Sequence, residues 1–457
     1  MPWSLHLKEI YTMRERSRNN IILEYGTYML TFFASYIASL AGFYYLSGAI
    51  LIGEALFLYA HWVRETGGLV ELRALFTLAW VGGQGIACLQ LSKLQTDWSY
   101  ITWLCFFLIY AGFGIGYEWG QRYGKIEEKE LDKDEKQAKR LFQCMIGLAV
   151  ASVVCFAFEA LKVGFIPLFS SEPHAYSYFH VSGVHYFTIS CILIPAITIL
   201  YVKVSNGISI INKLILAVTN IIAIAIPFLC VSRFQLLFAV GFAVVTYIIV
   251  NKKIRLRTMA ILIVAVIPIY VILTVFRHHD VTYLNSIFEM KYEKMPIFVT
   301  QPYMYVANNF ENFNCMVVQL TEHTWGIRML FPVFALTGLK FIFPQLTSSA
   351  VYLTKPELTT LTMFYDAYYD FGIVGVFCVA LIIGIAAKVL TRVVKNSKNP
   401  VAYLFYGQLA IYLGLAFFTT WFSNPTTWFW LILTGLMYWY IGYDKDRKGK
   451  KRDNGEA

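Results

Sequence analysis

Two arginines of this chain lie beside long apolar segments, where a permanent positive charge is costly and is expected to have a partner or a task. Arg233 stands in a turn between two apolar runs with almost no loop between them, and Arg277 ends another run. A guanidinium can bind a diphosphate through two parallel hydrogen bonds. We predict an anion site at Arg233 and Arg277; the alternative is that each anchors a helix end at a membrane surface.

Carboxylates and histidines in the same parts of the chain are candidate general acids and bases. Asp366 and Asp370 are four residues apart and therefore share one face of a helix. A carboxylate there can remove a proton from a substrate hydroxyl or stabilise the helix start, and we favour the second role for Asp370. The other candidates are Glu172, Glu311, Glu322, His174, His180, His185, His278, His279 and His323.

Tyrosines crowd the same segments. Tyrosine and tryptophan usually form a belt at the membrane interface, and stacking on sugar rings is the functional alternative. The cysteines and histidines show no spacing typical of a zinc site, so we predict neither a metal nor a cofactor. The tyrosines concerned include Tyr176, Tyr178, Tyr186, Tyr303, Tyr305, Tyr365, Tyr368 and Tyr369.

Composition shows which elements must position these residues. Hydrophobic residues make up 58% of the 457 and charged residues only 14%, whereas a soluble domain has roughly 25% charged residues. The apolar runs are long enough, as helices, to cross a hydrocarbon layer of ~30 Å. We predict one all-α membrane domain with twelve spans near 21–40, 43–60, 73–92, 98–118, 141–163, 186–202, 214–231, 232–250, 258–276, 366–387, 401–420 and 428–443.

The loops between these spans differ in charge. Alternate loops hold 29 of the 38 lysines and arginines, which places them and both termini in the cytoplasm. They include a charged loop at 119–140 and a basic tail at 444–457. The segment 277–365 becomes a large extracytoplasmic loop, in which the apolar stretch 327–346, broken by Pro332, Gly338 and Pro344, lies in the interface or re-enters without crossing.

Three short motifs resemble the bacterial O-antigen and capsular polysaccharide polymerases (Wzy type, oligosaccharide repeat-unit polymerases). The first is GFIPLF at 164–169 with SGVHYF at 182–187, the second is SRFQLL at 232–237, and the third is YDAYYDFGIVGVF at 365–377. They occur in the family's order within residues 141–390. Unlike some members of that family, this chain has no arginine within 164–185.

The resemblance implies a GT-C-like, metal-independent glycosyltransferase of the bacterial cytoplasmic membrane. It would join repeat units carried on undecaprenyl diphosphate, with lipid-linked donor and acceptor, chain-length regulator and flippase proteins as partners, and no nucleic acid. Arg233 and Arg277 would bind diphosphate. The candidates for catalysis are Asp366, Glu172, His278 and His323, and those for substrate binding are His185, Tyr305 and Tyr365.

Two other functions fit the same pattern. An O-antigen ligase uses a similar scaffold and donor with a different acceptor. A lipid-linked oligosaccharide flippase or another transporter would line its cavity with charge reachable from both sides, whereas the charge that could bind a substrate is concentrated here on the extracytoplasmic side.

Overall fold

A computed structural model describes residues 2–120, 130–170, 175–252, 281–292, 294–347 and 350–443. These residues form helices and loops, and their one β-interaction is an isolated bridge between Ser92 and Met290. Eight of the helices are long and apolar enough to cross a membrane. The prediction of an all-α polytopic membrane protein is therefore confirmed, whereas the count of twelve spans stays a prediction.

The helices alternate along the chain with loops. The helices His185–Thr188 and Ile194–Val204 are joined directly by the 3₁₀ segment Ile189–Leu193. The candidate spans are α1, α2, α4, α5, α6 together with α7, α8, α9 and α14. The helices are α1 (Pro2–Leu40), α2 (Tyr44–Thr66), α3 (Leu72–Cys88), α4 (Tyr100–Trp119), α5 (Glu135–Val163), α6 (His185–Thr188), α7 (Ile194–Val204), α8 (Ile210–Leu229), α9 (Arg233–Asn251), α10 (Val281–Phe288), α11 (Ile297–Gln319), α12 (Phe331–Leu336), α13 (Leu339–Ile342), α14 (Tyr365–Asn396), α15 (Val401–Gly414) and α16 (Pro425–Gly442).

The loops collect at two opposite ends of the bundle. The loops 67–71, 130–134, 205–209 and 397–400 meet at one end, which we call the lysine end. There the Asp134 amide donates to the Val204 carbonyl (2.9 Å) and the Tyr406 hydroxyl to the Val70 carbonyl (3.0 Å). The other end, which we call the arginine end, holds the segment 281–364 and the loops 230–232 and 415–424. The four loops of the lysine end, which belong to predicted basic segments of the chain, are thus neighbours in space.

Glycines allow α4 and α14 to approach closely. A Cβ at Gly116 would collide with the Leu381 carbonyl, and a Cβ at Gly384 would collide with the Phe113 carbonyl. Without a hydrophobic driving force between helices inside lipid, such close backbone packing is a main source of association. This contact fixes α14, whose first turns hold Asp366 and Asp370.

A 23-residue helix, α11, lies within the segment that was predicted to contain no full-length span. It is not among the candidate spans, and it packs against α3 and α4, where Phe310 contacts Trp80 and Phe106. Its asparagines bind nearby loops: the Asn309 amide donates to the Phe417 carbonyl and the Asn312 amide to the Leu358 carbonyl (both 2.8 Å). The helix therefore shapes the loops around the site.

The apolar stretch 327–346 is broken as predicted. It forms two helices of six and four residues, α12 and α13, followed by a 3₁₀ turn. Gly338 separates the helices with φ 79°, a conformation that glycine adopts without strain. Helices this short cannot cross a membrane, and the exposed side chains of Val333, Phe341 and Ile342 fit a position in the interface.

Candidate functional site

Arg233 is the first residue of α9 and lies at the tight turn that the sequence predicted. Helix α8 ends at Leu229, Val231 adopts φ 52°, and α9 begins two residues later. The Arg233 side chain is 3% exposed and lines a cavity of about 410 Å³. A turn with no spare residues thus holds a buried guanidinium beside an open space, at a helix start where the helix dipole favours an anion.

The wall of this Arg233 cavity combines aromatic and amide groups. Tyr305 is half-buried, and its ring meets Phe234 edge to face, with centroids 5.7 Å apart. Gln301 and Asn308 contribute amides from α11. Glu357 also lines this cavity. The cation, the two amides and the aromatic faces suit an anionic group that is attached to a sugar, and the carboxylate suits the hydroxyls of that sugar. The structure thus brings the predicted residues Arg233 and Tyr305 to one cavity.

Arg328 is the residue that sequence reasoning missed. Its Nε pairs with Asp366 Oδ1 at 2.5 Å, and Nη1 donates to the Ala350 carbonyl at 3.3 Å. Its Cζ lies 4.5 Å from the ring centroid of Tyr369 and 5.5 Å from that of Tyr365, distances at which cation–π attraction operates. The signal was available, because Arg328 is the lone arginine in the apolar stretch 327–346.

Asp370 fixes the loop that carries Arg328. Its Oδ1 accepts from the Arg328 amide (3.2 Å) and from the Thr324 hydroxyl, and its Oδ2 accepts from the Met329 amide (2.7 Å). We expected Asp370 to stabilise the start of its own helix. It instead satisfies the amides of residues 328 and 329, which is the same capping chemistry applied to a distant loop.

Gly372 completes this support through an unusual backbone conformation. It adopts φ 61° and ψ −147°, which kinks α14, and this region is essentially restricted to glycine. His323 lies against the kink, where its Nδ1 donates to the Tyr369 carbonyl at 3.1 Å. His323 does not line either cavity at the arginine end. Its contacts favour a structural role over the predicted catalytic one.

A second cavity, of about 380 Å³, opens beside Arg328 and Asp366. Thr420, Ser423 and Asn424 also line it, so its wall carries hydroxyl, amide, carboxylate and guanidinium groups. Sugar hydroxyls both donate and accept, and such a mixed set can bind them. Val351 and Thr420 line this second cavity, while residues 357–360 line the Arg233 cavity. Phe418 packs on Phe234 of the Arg233 cavity, with ring centroids 4.5 Å apart.

Two predicted substrate-binding residues have other contacts. Tyr365 is fully buried, and its hydroxyl accepts from the Tyr352 amide (2.9 Å) and donates to the Tyr352 carbonyl (3.2 Å). It therefore supports Arg328 from beneath rather than reaching a substrate. His185 Nδ1 lies 3.1 Å from the buried carboxylate of Glu159, and it lines neither cavity.

Of the remaining residues predicted from the sequence, some lie outside the described residues and Glu311 lies within them. Glu172, Arg277 and His278 lie outside the described residues. Glu311 is buried, and it accepts from the Thr96 hydroxyl (2.5 Å) and the Trp98 indole (3.1 Å). Burial raises the pKa of the Glu311 carboxyl. This residue ties α11 to the loop before α4 and faces neither cavity.

A third cavity, of about 310 Å³, has an apolar wall. It lies between α2, α3 and α15, and its wall includes Val306 and Phe417. Both residues adjoin the Arg233 cavity in the chain, since Tyr305 lines that cavity and Phe418 packs on Tyr305. A hydrocarbon chain suits such a space because it needs no polar partner.

Within the described part of the chain, no group of three or more histidine, cysteine, aspartate or glutamate side chains could hold a metal ion. Comparison with protein-family models, curated proteins and solved structures finds no match to this chain.

Proposed function

We propose that this protein is a membrane glycosyltransferase that polymerises oligosaccharide repeat units carried on a lipid diphosphate. The observation that carries the proposal is the pair of arginine-lined cavities at one end of a bundle with eight candidate spans. One cavity has the features of an anion site and the other those of a sugar site. A polymerase needs both at the membrane surface, because its donor and acceptor have lipid tails.

The diphosphate of the donor binds in the Arg233 cavity. The guanidinium of Arg233 and the N-terminus of α9 provide positive charge that is already in position before the reaction begins. When the bond between the sugar and the diphosphate breaks, negative charge grows on the leaving diphosphate. Donors held in place for that charge lower the barrier more than donors that must reorganise.

The part of the lipid tail next to the diphosphate packs in the apolar cavity between α2, α3 and α15. Val306 and Phe417 line it, one residue from Tyr305 and Phe418 near the Arg233 cavity. A polyprenyl chain in this position leaves its diphosphate near Arg233 and remains in contact with the surrounding lipid. The arrangement thus admits the substrate from the membrane.

The acceptor sugar binds in the cavity of Arg328 and Asp366. In the transfer, the acceptor hydroxyl oxygen attacks the anomeric carbon of the donor, the bond to the diphosphate breaks, and the hydroxyl proton leaves to a base. Asp366 is the candidate base of this cavity, and its ion pair with Arg328 holds it in place. The lipid diphosphate departs with the electron pair of the broken bond.

The arginine end faces the outside of a bacterial cytoplasmic membrane, and the lysine end faces the cytoplasm, as do both termini. The excess of lysine and arginine in the loops of the lysine end supports this orientation. A cysteine placed at Lys340 of α13 should react with an impermeant thiol reagent on intact spheroplasts. A cysteine at Lys133 should be protected until the membrane is opened, and the reverse order would invert the orientation.

Deletion in the host tests the proposed activity. Without the protein, surface polysaccharide should stop at single repeat units, and electrophoresis should show no ladder of longer chains. Complementation with Arg233→Ala should fail although the protein inserts at normal levels, because losing one preorganised donor to developing charge costs about 10²–10³ in rate. Arg233→Lys should restore at most short chains, since an ammonium lacks the two-pronged contact.

A matched control lies at the same end of the bundle. Lys340 is a basic residue of α13 that lines neither arginine cavity, so Lys340→Ala should give a normal ladder. A ladder that persists in the deletion strain contradicts the polymerase function itself. Near-normal ladders from Arg233→Lys would keep the function and place the diphosphate elsewhere, because an ammonium anchors a helix end equally well.

A further inference from the structure

One face of α11 borders the Arg233 cavity. Four residues of this helix line the cavity at spacings of three and four, which places them on one side of the helix. Three apolar residues of α10 line it at similar spacings, and each is at most 8% exposed. The residues of α11 are Gln301, Met304, Tyr305 and Asn308, and those of α10 are Leu284, Ile287 and Phe288. The cavity thus has an apolar side at α10 and a mixed side at α11.

Asn308 contributes an amide group of which only one end is bonded to the protein. The residue is 1% exposed, and its Oδ1 accepts a hydrogen bond from the Thr354 hydroxyl at 2.8 Å. This bond orients the amide. Its Nδ2 is buried and has no hydrogen-bond partner among the described residues. Because a buried donor without a partner is costly, a ligand that brings an acceptor atom into the cavity is the expected partner of Nδ2.

Glu357 adds a hydrogen-bonding group of the opposite kind. It is exposed, and it lines the same cavity from the segment 357–360. An ionised carboxylate accepts hydrogen bonds and donates none, so it suits a donor on the ligand. The cavity therefore offers a donor at Asn308, an acceptor at Glu357 and an apolar side at α10. A ligand that satisfies all three has an acceptor atom, a donor and an apolar group.

An acylamino group on a sugar has these three parts. Its carbonyl oxygen accepts a hydrogen bond, its N–H donates one, and its methyl group is apolar. A hydroxyl in the same position would bond to the amide or to the carboxylate, but it would leave the apolar side of the cavity without a partner. On the carbon next to the anomeric carbon, an acylamino group is the ring substituent nearest to the diphosphate.

We propose that the Arg233 cavity selects a donor whose first sugar carries an acylamino group beside the anomeric carbon, with Asn308 Nδ2 donating to its carbonyl oxygen. The N–H of this group faces Glu357, and its methyl group packs on Leu284 and Ile287 of α10. The inference rests on the proposed function, because it takes the diphosphate of the donor to lie at Arg233. Asn308 then determines which donor is bound and takes no part in breaking the bond.

The test compares two donor analogues with a short lipid tail, citronellyl diphosphate N-acetylglucosamine and citronellyl diphosphate glucose. They differ only in the group beside the anomeric carbon. Isothermal titration calorimetry with the full chain in detergent should show about tenfold tighter binding of the N-acetylglucosamine compound, the value of one good hydrogen bond. Asn308→Ala should abolish this preference. Gln319→Ala is the matched control, because Gln319 is an exposed amide at the end of α11 that lines neither arginine cavity, and it should keep the preference of the wild type.

Equal affinity of the wild type for the two compounds would overturn the inference and leave the diphosphate site intact, since both compounds carry the diphosphate. A preference that persists in Asn308→Ala would also overturn it, because another residue would then recognise the acylamino group. Binding of neither compound would contradict the proposed donor site itself. Should Asn308→Ala fail to fold, Asn308→Leu, which has nearly the same size, replaces it, and the ratio measured for the wild type still decides whether the cavity selects the acylamino group.

Discussion

Two arginines, the buried Arg73 and the partly exposed Arg328, show how differently the same side chain can be used in this bundle. The Arg73 side chain is 1% exposed and pairs with both Glu24 and Glu118, while its Cζ lies 4.2 Å from the Trp62 ring centroid. The Arg328 side chain is 14% exposed, pairs with one carboxylate, and lines a cavity. The two acidic partners of Arg73 indicate a structural role. The single acidic partner of Arg328 and the cavity beside it leave room for a ligand.

The largest effect is expected at Arg73. Arg73→Met leaves the Glu24 carboxylate buried without its cation, and removing one member of a buried ion pair costs roughly 3–5 kcal/mol. The folded yield, measured by size-exclusion chromatography in detergent, should fall sharply. Adding Glu24→Gln and Glu118→Gln to Arg73→Met should restore much of it, because the cluster then has no charge. Failure of this rescue would show that Arg73 has a role beyond neutralising these glutamates.

Arg328 should behave in the opposite way. Arg328→Lys keeps a charge beside Asp366, so the Tm should stay close to that of the wild type. Polymer synthesis should fall at least tenfold, because the fixed fork and its stacking on Tyr369 are lost. The ladder of chain lengths at matched expression measures this. A low Tm and a low yield of the Arg328→Lys variant would show that Arg328, like Arg73, has a structural role.

A smaller effect is expected where α14 supports the Arg328 loop. Gly372→Ala forces a Cβ into a backbone conformation that costs about 1–3 kcal/mol for other residues, and the new Cβ would lie 3.0 Å from His323 Nε2. Tm and chain length should both fall. Gly53→Ala is the matched control in α2, where nothing lies within 4 Å of the new Cβ, and it should be neutral or slightly stabilising. Equal effects at both positions would argue against a special role for the kink.

The smallest effect concerns Glu311, a buried carboxylate without a cation. Burial raises its pKa in the folded state, so the folded protein holds its proton more tightly than the unfolded chain. The stability from this group is therefore present at low pH and is lost as pH rises through the folded pKa. Glu311→Gln should remove this loss, so its Tm relative to the wild type should rise by a small amount as the pH is raised above the ordinary range of a glutamate carboxyl. A relative Tm that falls as the pH is raised would show that the ionised carboxylate stabilises the fold.

The sequence predicted the parts of the site that depend on neighbours in the chain. The turn at Arg233 followed from two apolar runs with almost no residues between them, and the breaks in 327–346 followed from Gly338 and the two prolines. Asp366 and Asp370 were placed on one helix face by their spacing. These inferences succeed because helix periodicity and the length of an apolar run depend only on residues that are close together in the sequence.

The parts that involve distant residues were not predictable in this way. The sequence placed Arg73 at the edge of the predicted span 73–92, whereas α1 and α4 bring to it two glutamates that lie 49 and 45 residues away in the chain. Asp370 was assigned to its own helix, whereas it holds amides 41 and 42 residues earlier in the chain. The helix α11 was not predicted within 277–365, because it is not apolar enough to be recognised as a membrane span.

The sequence by itself determined that this chain is a helical membrane protein, that its basic loops alternate, and that an arginine stands at the start of α9. Hydrophobic length and charge decide these features, and neither depends on which helix packs against which. Only the tertiary structure decided that Arg328 meets Asp366 and that Arg73 lies between two carboxylates. The reason is that a buried charge is tolerated only where partners lie next to it, and these partners come from helices that are far apart in the sequence.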